Sequence, residues 1–306
     1  MAKMRIQAFA GLHEYVAEKN GYFQQEGLDY EIVRNAGNLM DRTEAPVAPL
    51  TEAQRAAAPD RAVPQVMRGA FEGLEAGRAC DVSMACHWAV NMAASGDHGR
   101  MWGHAYMLTY AAIMVAPESP IKTPDDLRGV EIGVGYHSGS HFSCLQYLEP
   151  WIAPKDVKLS FIGGPSDRTG LMYDRKIPAA NMWGTEKDIL ESLGFRKIVD
   201  TTYMQGFLIT GEDPDIDQLE RYYRALEHSQ TEIDAHFEKY KDYFKPHIPE
   251  RFKGMVDVRS FSPGRRIVFA DYTPEVYEST HKWMEDIQIF PEGQLGHKQY
   301  GEAVLV

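Results

Sequence analysis

The run Glu14-Tyr-Val-Ala-Glu-Lys-Asn-Gly-Tyr-Phe-Gln-Gln-Glu-Gly-Leu-Asp-Tyr-Glu-Ile-Val33 sets out an α/β grammar. It follows a strand-like segment at residues 4–10 that stops at Gly11. Residues 12–25 read as a helix, with Tyr15, Val16, Tyr22 and Phe23 on one side and Gly27 suited to a left-handed stop. Residues 28–33 alternate apolar and polar as a strand does. A second run, Ser119-Pro-Ile-Lys-Thr-Pro-Asp-Asp-Leu-Arg-Gly-Val-Glu-Ile-Gly-Val134, echoes the first. There Thr123 offers an N-cap oxygen, Pro124 sits where its missing N–H is harmless, and Gly129 ends the turn before a strand at 130–134.

Working outward, residues 66–76 read as a helix, 80–84 as a short buried strand and 85–94 as a helix ended near Gly96. Beyond Val134 the pattern predicts a helix at 140–151, then strands at 157–162, 177–182 and 197–200 with helices at 167–174 and 186–193 between them. Residues 215–244 read as mostly helix, and 274–289 as a helix packed on the first lobe. Two apolar runs, 106–115 and 205–210, read as crossings between lobes. Alternating strands and helices with buried strands predict an α/β protein of two lobes, with a ligand crevice at the carboxyl ends of the strands. Lobe 1 is expected to comprise 1–110 and 206–306, and lobe 2 to comprise 111–205. Residues 36–64, with Pro46, Pro49, Pro59 and Pro64 among many alanines, read as an inserted loop.

The 306 residues include 44% apolar side chains, enough for a sizeable core. A net charge of −12 with no basic stripe argues against a nucleic-acid partner. No segment reaches the roughly 20 apolar residues of a membrane-spanning helix. The N-terminus enters a strand almost at once, with no apolar leader, which favours a cytoplasmic location; an export signal already removed would make the chain periplasmic or lipid-anchored. Cys80, Cys86 and Cys144 fit neither a disulfide framework nor a zinc pattern and read as reduced thiols.

Three motifs carry a resemblance to a known group. They are residues 17–31 of the first run, Gly73-Leu-Glu-Ala-Gly-Arg-Ala-Cys-Asp81, and residues 120–134 of the second run. The chain resembles type II periplasmic-binding-protein-like domains, in the branch of nitrate, sulfonate and taurine binding proteins and thiamine-pyrimidine synthase-like proteins. Asp174-Arg-Lys-Ile-Pro-Ala-Ala180 stands where that group carries Gly-x-Ile-Asp-Ala, with Arg175 and Pro178 replacing glycine and aspartate. The resemblance implies a two-lobed fold with two crossing strands and an interlobe cleft. Its functions include binding components of ABC importers and signal-free desulfinase and decarboxylase enzymes. The desulfinase type keeps a cysteine after the first strand, where this chain has Gly11-Leu-His13; the cysteine-rich cluster of the pyrimidine synthases has no counterpart.

Four predicted loops line the cleft, and their residues are the candidates for chemistry. Ser138, Gly139 and Ser140 precede a helix whose N–H groups and dipole suit an anionic group. His13, His87, His137 and His141 fall in or beside these loops, suited to proton transfer or to a zinc or iron site with Glu14 or Glu186. Cys86 beside His87 has the makings of a nucleophile with its base. Trp88, Tyr136 and Trp183 offer faces to a flat ring, Arg168 a partner for a carboxylate or sulfonate, and Asn181 a polar contact. Gly133-Val-Gly-Tyr-His-Ser-Gly139 has neither the spacing nor the lysine of a nucleotide loop, so no nucleotide is expected.

The sequence reading is a cytoplasmic lyase, decarboxylase or hydrolase acting on a small polar or anionic aromatic or heterocyclic molecule, through histidine acid–base or metal-assisted chemistry. The alternative is the solute-binding component of an ABC importer for a sulfonate-, nitrate- or pyrimidine-like ligand, with the permease as partner.

Overall fold

The computed structural model describes residues 3–7, 11–33, 65–75, 80–290 and 295–306. The inserted loop expected at 36–64 lies outside them. Two mixed sheets organise the chain. The first contains β1 (Met4–Ile6), β2 (Tyr30–Ile32), β3 (Val82–Cys86), β4 (Arg100–Trp102), β5 (Tyr106–Thr109), β11 (Tyr203–Ile209), β12 (Arg265–Val268) and β13 (Val304–Leu305). Its main path runs β12-β5-β11-β3-β1-β2, with β4 on β11 and β13 on β4. The second sheet runs in the order β10 (Arg196–Asp200), β6 (Ala111–Val115), β9 (Ala179–Trp183), β7 (Glu131–Val134) and β8 (Lys158–Phe161).

β3 and β6, each with a paired strand on either side, are buried along their whole length, as internal strands of covered sheets are. β1 is parallel to β2 and β3, and β7 to β8 and β9, so these strands aim their carboxyl ends the same way. β11 in the first sheet and β6 in the second run antiparallel to their parallel neighbours and adjoin the two chain crossings, and β12 runs antiparallel to β5 at the far edge of the first sheet.

The run at 106–115 divides at Tyr110: β5 pairs in the first sheet and β6 in the second. The Tyr110 N–H donates to the Gly264 carbonyl, 3.0 Å, instead of joining either ladder. The return passes through Thr201 and Thr202, between β10 and β11. Of residues 205–210, read as the return crossing, 205–209 already lie within the first sheet as part of β11.

Helix boundaries follow glycine chemistry. The helix read over 12–25 breaks into α1 (Leu12–Asn20) and α2 (Tyr22–Gln25), because Gly21 takes φ 73° and its N–H returns to the Glu18 carbonyl. The helix read over 66–76 is helical only at α3 (Ala70–Glu75). Ahead of it, the Val66 N–H is committed to the Phe161 carbonyl at the edge of the second sheet, 2.6 Å. The remaining helices are α4 (His87–Ser95), α5 (Gly139–Leu148), α6 (Pro165–Tyr173), α7 (Gly184–Ser192), α8 (Ile216–His236), α9 (Pro274–Asp286) and α10 (Tyr300–Ala303). The long helix read over 215–244 stops at His236 and continues as 3₁₀ turns from Phe237 to His247. Helix α9 packs Tyr277 and Met284 into the core around Trp88 and Met92. Among the described residues no helix is long and apolar enough to cross a membrane.

Candidate functional site

The sheets face each other across a cavity of about 90 Å³. β3 contributes Met84, Ala85 and Cys86, and β11 contributes Tyr203 and Gln205. From the second sheet come Gly135, Tyr136, Ser138 and Gly139 after β7, Gly163, Gly164, Pro165 and Arg168 after β8, and Trp183 at the end of β9. Every parallel strand that reaches the cavity does so at its carboxyl end, where open α/β sheets collect ligands. Arg68, Gly69 and Ala70 form one further wall.

Three helices begin at this cavity. Cys86 is the N-cap of α4, Ser138 of α5 and Gly164 of α6, and all three line it. The first N–H groups of a helix have no intrahelical acceptor and carry the positive end of its dipole. The Ser138 hydroxyl does not cap α5. It donates to the Gly135 carbonyl, 2.7 Å, and stands 3.0 Å from the Ser140 hydroxyl, which accepts from the Gly135 N–H at 2.9 Å. The loop is thus fixed by its own serines. Pro165 at the first position of α6 suits a helix start for the same reason Pro124 does.

Arg168 is 1% exposed and lines the cavity, with one guanidinium nitrogen donating to the Gly163 carbonyl. Gln205 is buried, and its Oε1 has no hydrogen-bond partner among the described residues. The titratable groups among the lining residues are Arg68, Cys86, Tyr136, Arg168 and Tyr203. Burial pushes the Cys86 thiol up to about 12. Burial also raises the Tyr136 and Tyr203 phenols. Near neutral pH the described lining therefore presents two guanidinium cations and no anion, inside a chain of net charge −12.

Of the residues singled out from the sequence, Cys86, Tyr136, Ser138, Gly139, Arg168 and Trp183 line the cavity. Ser140 and Asn181 lie behind it. The Asn181 amide donates to the Ser140 carbonyl and the Ser143 hydroxyl, both at 2.9 Å, and accepts from the Thr201 hydroxyl at 2.8 Å. It joins the start of α5 to the return crossing. Glu186 accepts from the Ser166 hydroxyl, 2.7 Å, on the outer side of α6 and α7.

The four imidazoles do not converge. His13 meets the Gln230 Oε1 at 2.8 Å, and Glu14 accepts from the Tyr222 hydroxyl at 3.1 Å, both against α8. The His87 Nδ1 lies 3.0 Å from the Tyr272 hydroxyl, and the His87 ring sits against Trp88, which is buried in the core. His137 contacts Glu72 at 2.5 Å. His141 is the one partner His137 has from this set, ring to ring at 5.9 Å. Burial lowers His87 to about 3; burial and then the neighbouring His137 lower His141 to about 3. Among the described residues no group of three or more His, Cys, Asp or Glu is placed to hold a metal ion.

Sequence reasoning missed Arg68, Gly163–Pro165, Tyr203 and Gln205. Gly163-Gly164-Pro165 after a strand is a readable helix start. Tyr203 and Gln205 reach the cavity only through the pairing of β11 with β3 and β5, which no local signal announces.

No protein-family model matches the sequence, and no curated protein matches it. Solved structures do. The alkanesulfonate-binding protein SsuA from Xanthomonas axonopodis pv. citri, bound to MOPS, superposes with a TM-score of 0.68 at 13% identity, covering 100% of this chain and 98% of that one. The periplasmic aliphatic sulphonate binding protein SsuA from Escherichia coli gives 0.65 at 14% identity, covering 97% and 92%. The desulfurization enzyme DSZB gives 0.58 at 12% identity, covering 99% and 96%. The chain therefore has the two-lobed α/β fold of the type II periplasmic-binding-protein-like proteins.

Proposed function

We propose that this protein is a solute-binding protein that captures a small organic oxyanion, of sulfonate type, between its lobes. We take the first sheet as the frame of one lobe and the second sheet as the frame of the other, with the return boundary, expected at 205/206, taken at Thr201–Thr202 ahead of β11. The observation that carries the reading is the charge of the cavity: two arginines and three helix starts, with no lining anion among the described residues. Buried Arg168 and the helix starts favour negative charge in a desolvated site, and exposed Arg68 adds to them from the solvent side. Met84, Ala85, Tyr136, Trp183 and Tyr203 supply apolar walls for the ligand's carbon portion. Gln205 adds a polar contact that an unsubstituted oxyanion leaves unused.

This reading displaces the sequence-derived enzyme. An acid–base or nucleophilic step needs a titratable pair poised at the reacting atoms. Here burial holds the Cys86 thiol protonated, and the His87 Nδ1 is engaged with Tyr272. Fold neighbours named as sulfonate-binding proteins support the receptor over the enzyme, and with it an exported location and an ABC permease as partner.

The test is recovery of the ligand. Native mass spectrometry of the purified protein, before and after hours with an added panel of alkyl and aryl sulfonates, is expected to give a one-to-one complex whose ligand is released unchanged. Appearance of a desulfonated, decarboxylated or hydrolysed product would restore the enzyme.

A further inference from the structure

Gln205 stands on β11 two residues from Tyr203, so both side chains leave the strand on the same face, and both line the cavity. Across the ladders Gln205 faces Cys86 on β3 and Met107 on β5, which places it in the interior of the first sheet, 3% exposed. The two ends of its amide are used differently. Burial raises the Tyr203 phenol most, and the Gln205 side chain works against that shift by hydrogen-bonding the hydroxyl, the sense of an amide N–H donating to the oxygen. Tyr203 is in turn confined by Gly139, whose backbone lies against its ring. The other end of the amide, Oε1, is buried and has no hydrogen-bond partner among the described residues. An acceptor left unpaired in a buried site destabilises the fold unless a bound molecule supplies the missing donor.

We propose that the Gln205 Oε1 accepts a hydrogen bond from the ligand, and that the ligand is an organic oxyanion whose carbon portion carries an uncharged O–H or N–H donor. The inference rests on the oxyanion reading of the cavity and narrows it. The guanidinium groups and the three helix starts are donors, and they serve the anionic end of a ligand. Gln205 asks for the opposite, a donor that the ligand itself must bring. The same electrostatics exclude an ammonium as that donor. It would sit beside two guanidinium cations with no anion among the described lining residues to offset them. A hydroxyl or amide hydrogen meets the need without that repulsion. Glutamine suits both ends of such a ligand, since its carbonyl accepts without the negative charge that a glutamate would set against the oxyanion.

Calorimetric titration of the full chain near neutral pH with ethanesulfonate, hydroxyethanesulfonate and aminoethanesulfonate tests this. The wild type is expected to bind hydroxyethanesulfonate about tenfold more tightly than ethanesulfonate, the scale of one hydrogen bond to an otherwise unpaired buried group. Aminoethanesulfonate, an ammonium at that pH, is expected to bind more weakly than the hydroxylated ligand. In Gln205→Met, which keeps the side-chain length and removes the amide, the ratio of the hydroxylated to the plain affinity is expected to fall to about one. No preference for hydroxyethanesulfonate in the wild type would overturn the proposal, and that comparison stands even where the variant fails to fold. A ratio that survives Gln205→Met would overturn it too, because the amide would then be contacting the oxyanion end or only holding Tyr203. So would a preference for aminoethanesulfonate. In each of these cases a sulfonate still binds and the oxyanion reading stands; failure of all three ligands to bind would end that reading and this one with it.

Discussion

Gly139 lies against the ring of Tyr203: a Cβ built on Gly139 would stand 2.5 Å from the Tyr203 hydroxyl oxygen, with two ring carbons nearer still. The contact joins the start of α5, which follows β7 of the second sheet, to β11 of the first sheet, at the wall of the cavity. Glycine at 139 is required here by proximity, since its backbone is helical and needs no special φ. Gly139→Ala is expected to cost about 1–3 kcal/mol of folding stability by overpacking. Urea denaturation of Gly139→Ala, Tyr203→Leu and the double variant checks the cause: the cost of the added methyl should fall in the Tyr203→Leu background.

Arg168 is buried at the cavity wall with one nitrogen committed to Gly163. Arg168→Met is expected to lower affinity for an organic sulfonate by about 10–100-fold, the scale of one or two charge-assisted hydrogen bonds. Arg168→Lys should recover little, because a point charge on a flexible stem does not reproduce a planar fork. Calorimetric titration at two salt concentrations checks both. The loss should persist at high salt, since buried pairs are poorly screened.

The buried histidines make stability fall in acid. His87 and His141 are each lowered to about 3 in the folded chain, against about 6.5 when unfolded. Between those values the unfolded state binds protons that the folded state refuses. Their contribution is therefore complete above about pH 6.5 and is lost as pH falls toward 3, by about 1.4 kcal/mol per pH unit for each ring. Asp188, raised to about 6 chiefly by burial, acts with the opposite sign over its own range, since the folded chain keeps its proton longer. The clean measurement is a difference: urea midpoints from pH 7 to pH 5 for the wild type and His141→Gln, with the variant expected to show the shallower decline.

Cys86 is a wall residue and not a nucleophile in this account. Cys86→Ala is expected to leave ligand affinity within about threefold, the effect of trimming one small apolar contact. A sulfonate titration of the variant reads this directly.

Much of the architecture is legible in sequence because it is written locally. Gly21 and Gly27 close helical turns through positive φ, and Thr123-Pro124 starts one. The Ser138–Ser140 loop was readable for the same reason: small residues before an apolar helix leave N–H groups for something else to satisfy. The histidines misled because periodicity places a residue near a loop without saying where its ring turns. His13 and His87 found acceptors and packing partners on α8 and around α9, elements more than 180 residues away. Arg68 and Tyr203 were invisible for the converse reason. Each enters the cavity through long-range pairing, Tyr203 by the register of β11 on β5 and Arg68 by the docking of Gln65 and Val66 on Phe161.

The central claim is that a small oxyanion occupies the cavity between Arg168 and the starts of α4, α5 and α6. Thermal-shift titration of the full chain with methanesulfonate, benzenesulfonate, sulfate and acetate, beside methylammonium as a cation control, tests it most directly. The account predicts a rise in Tm with at least one oxyanion, absent with methylammonium and largely abolished by Arg168→Met. No rise with any of the oxyanions, or a rise that Arg168→Met leaves intact, would contradict it.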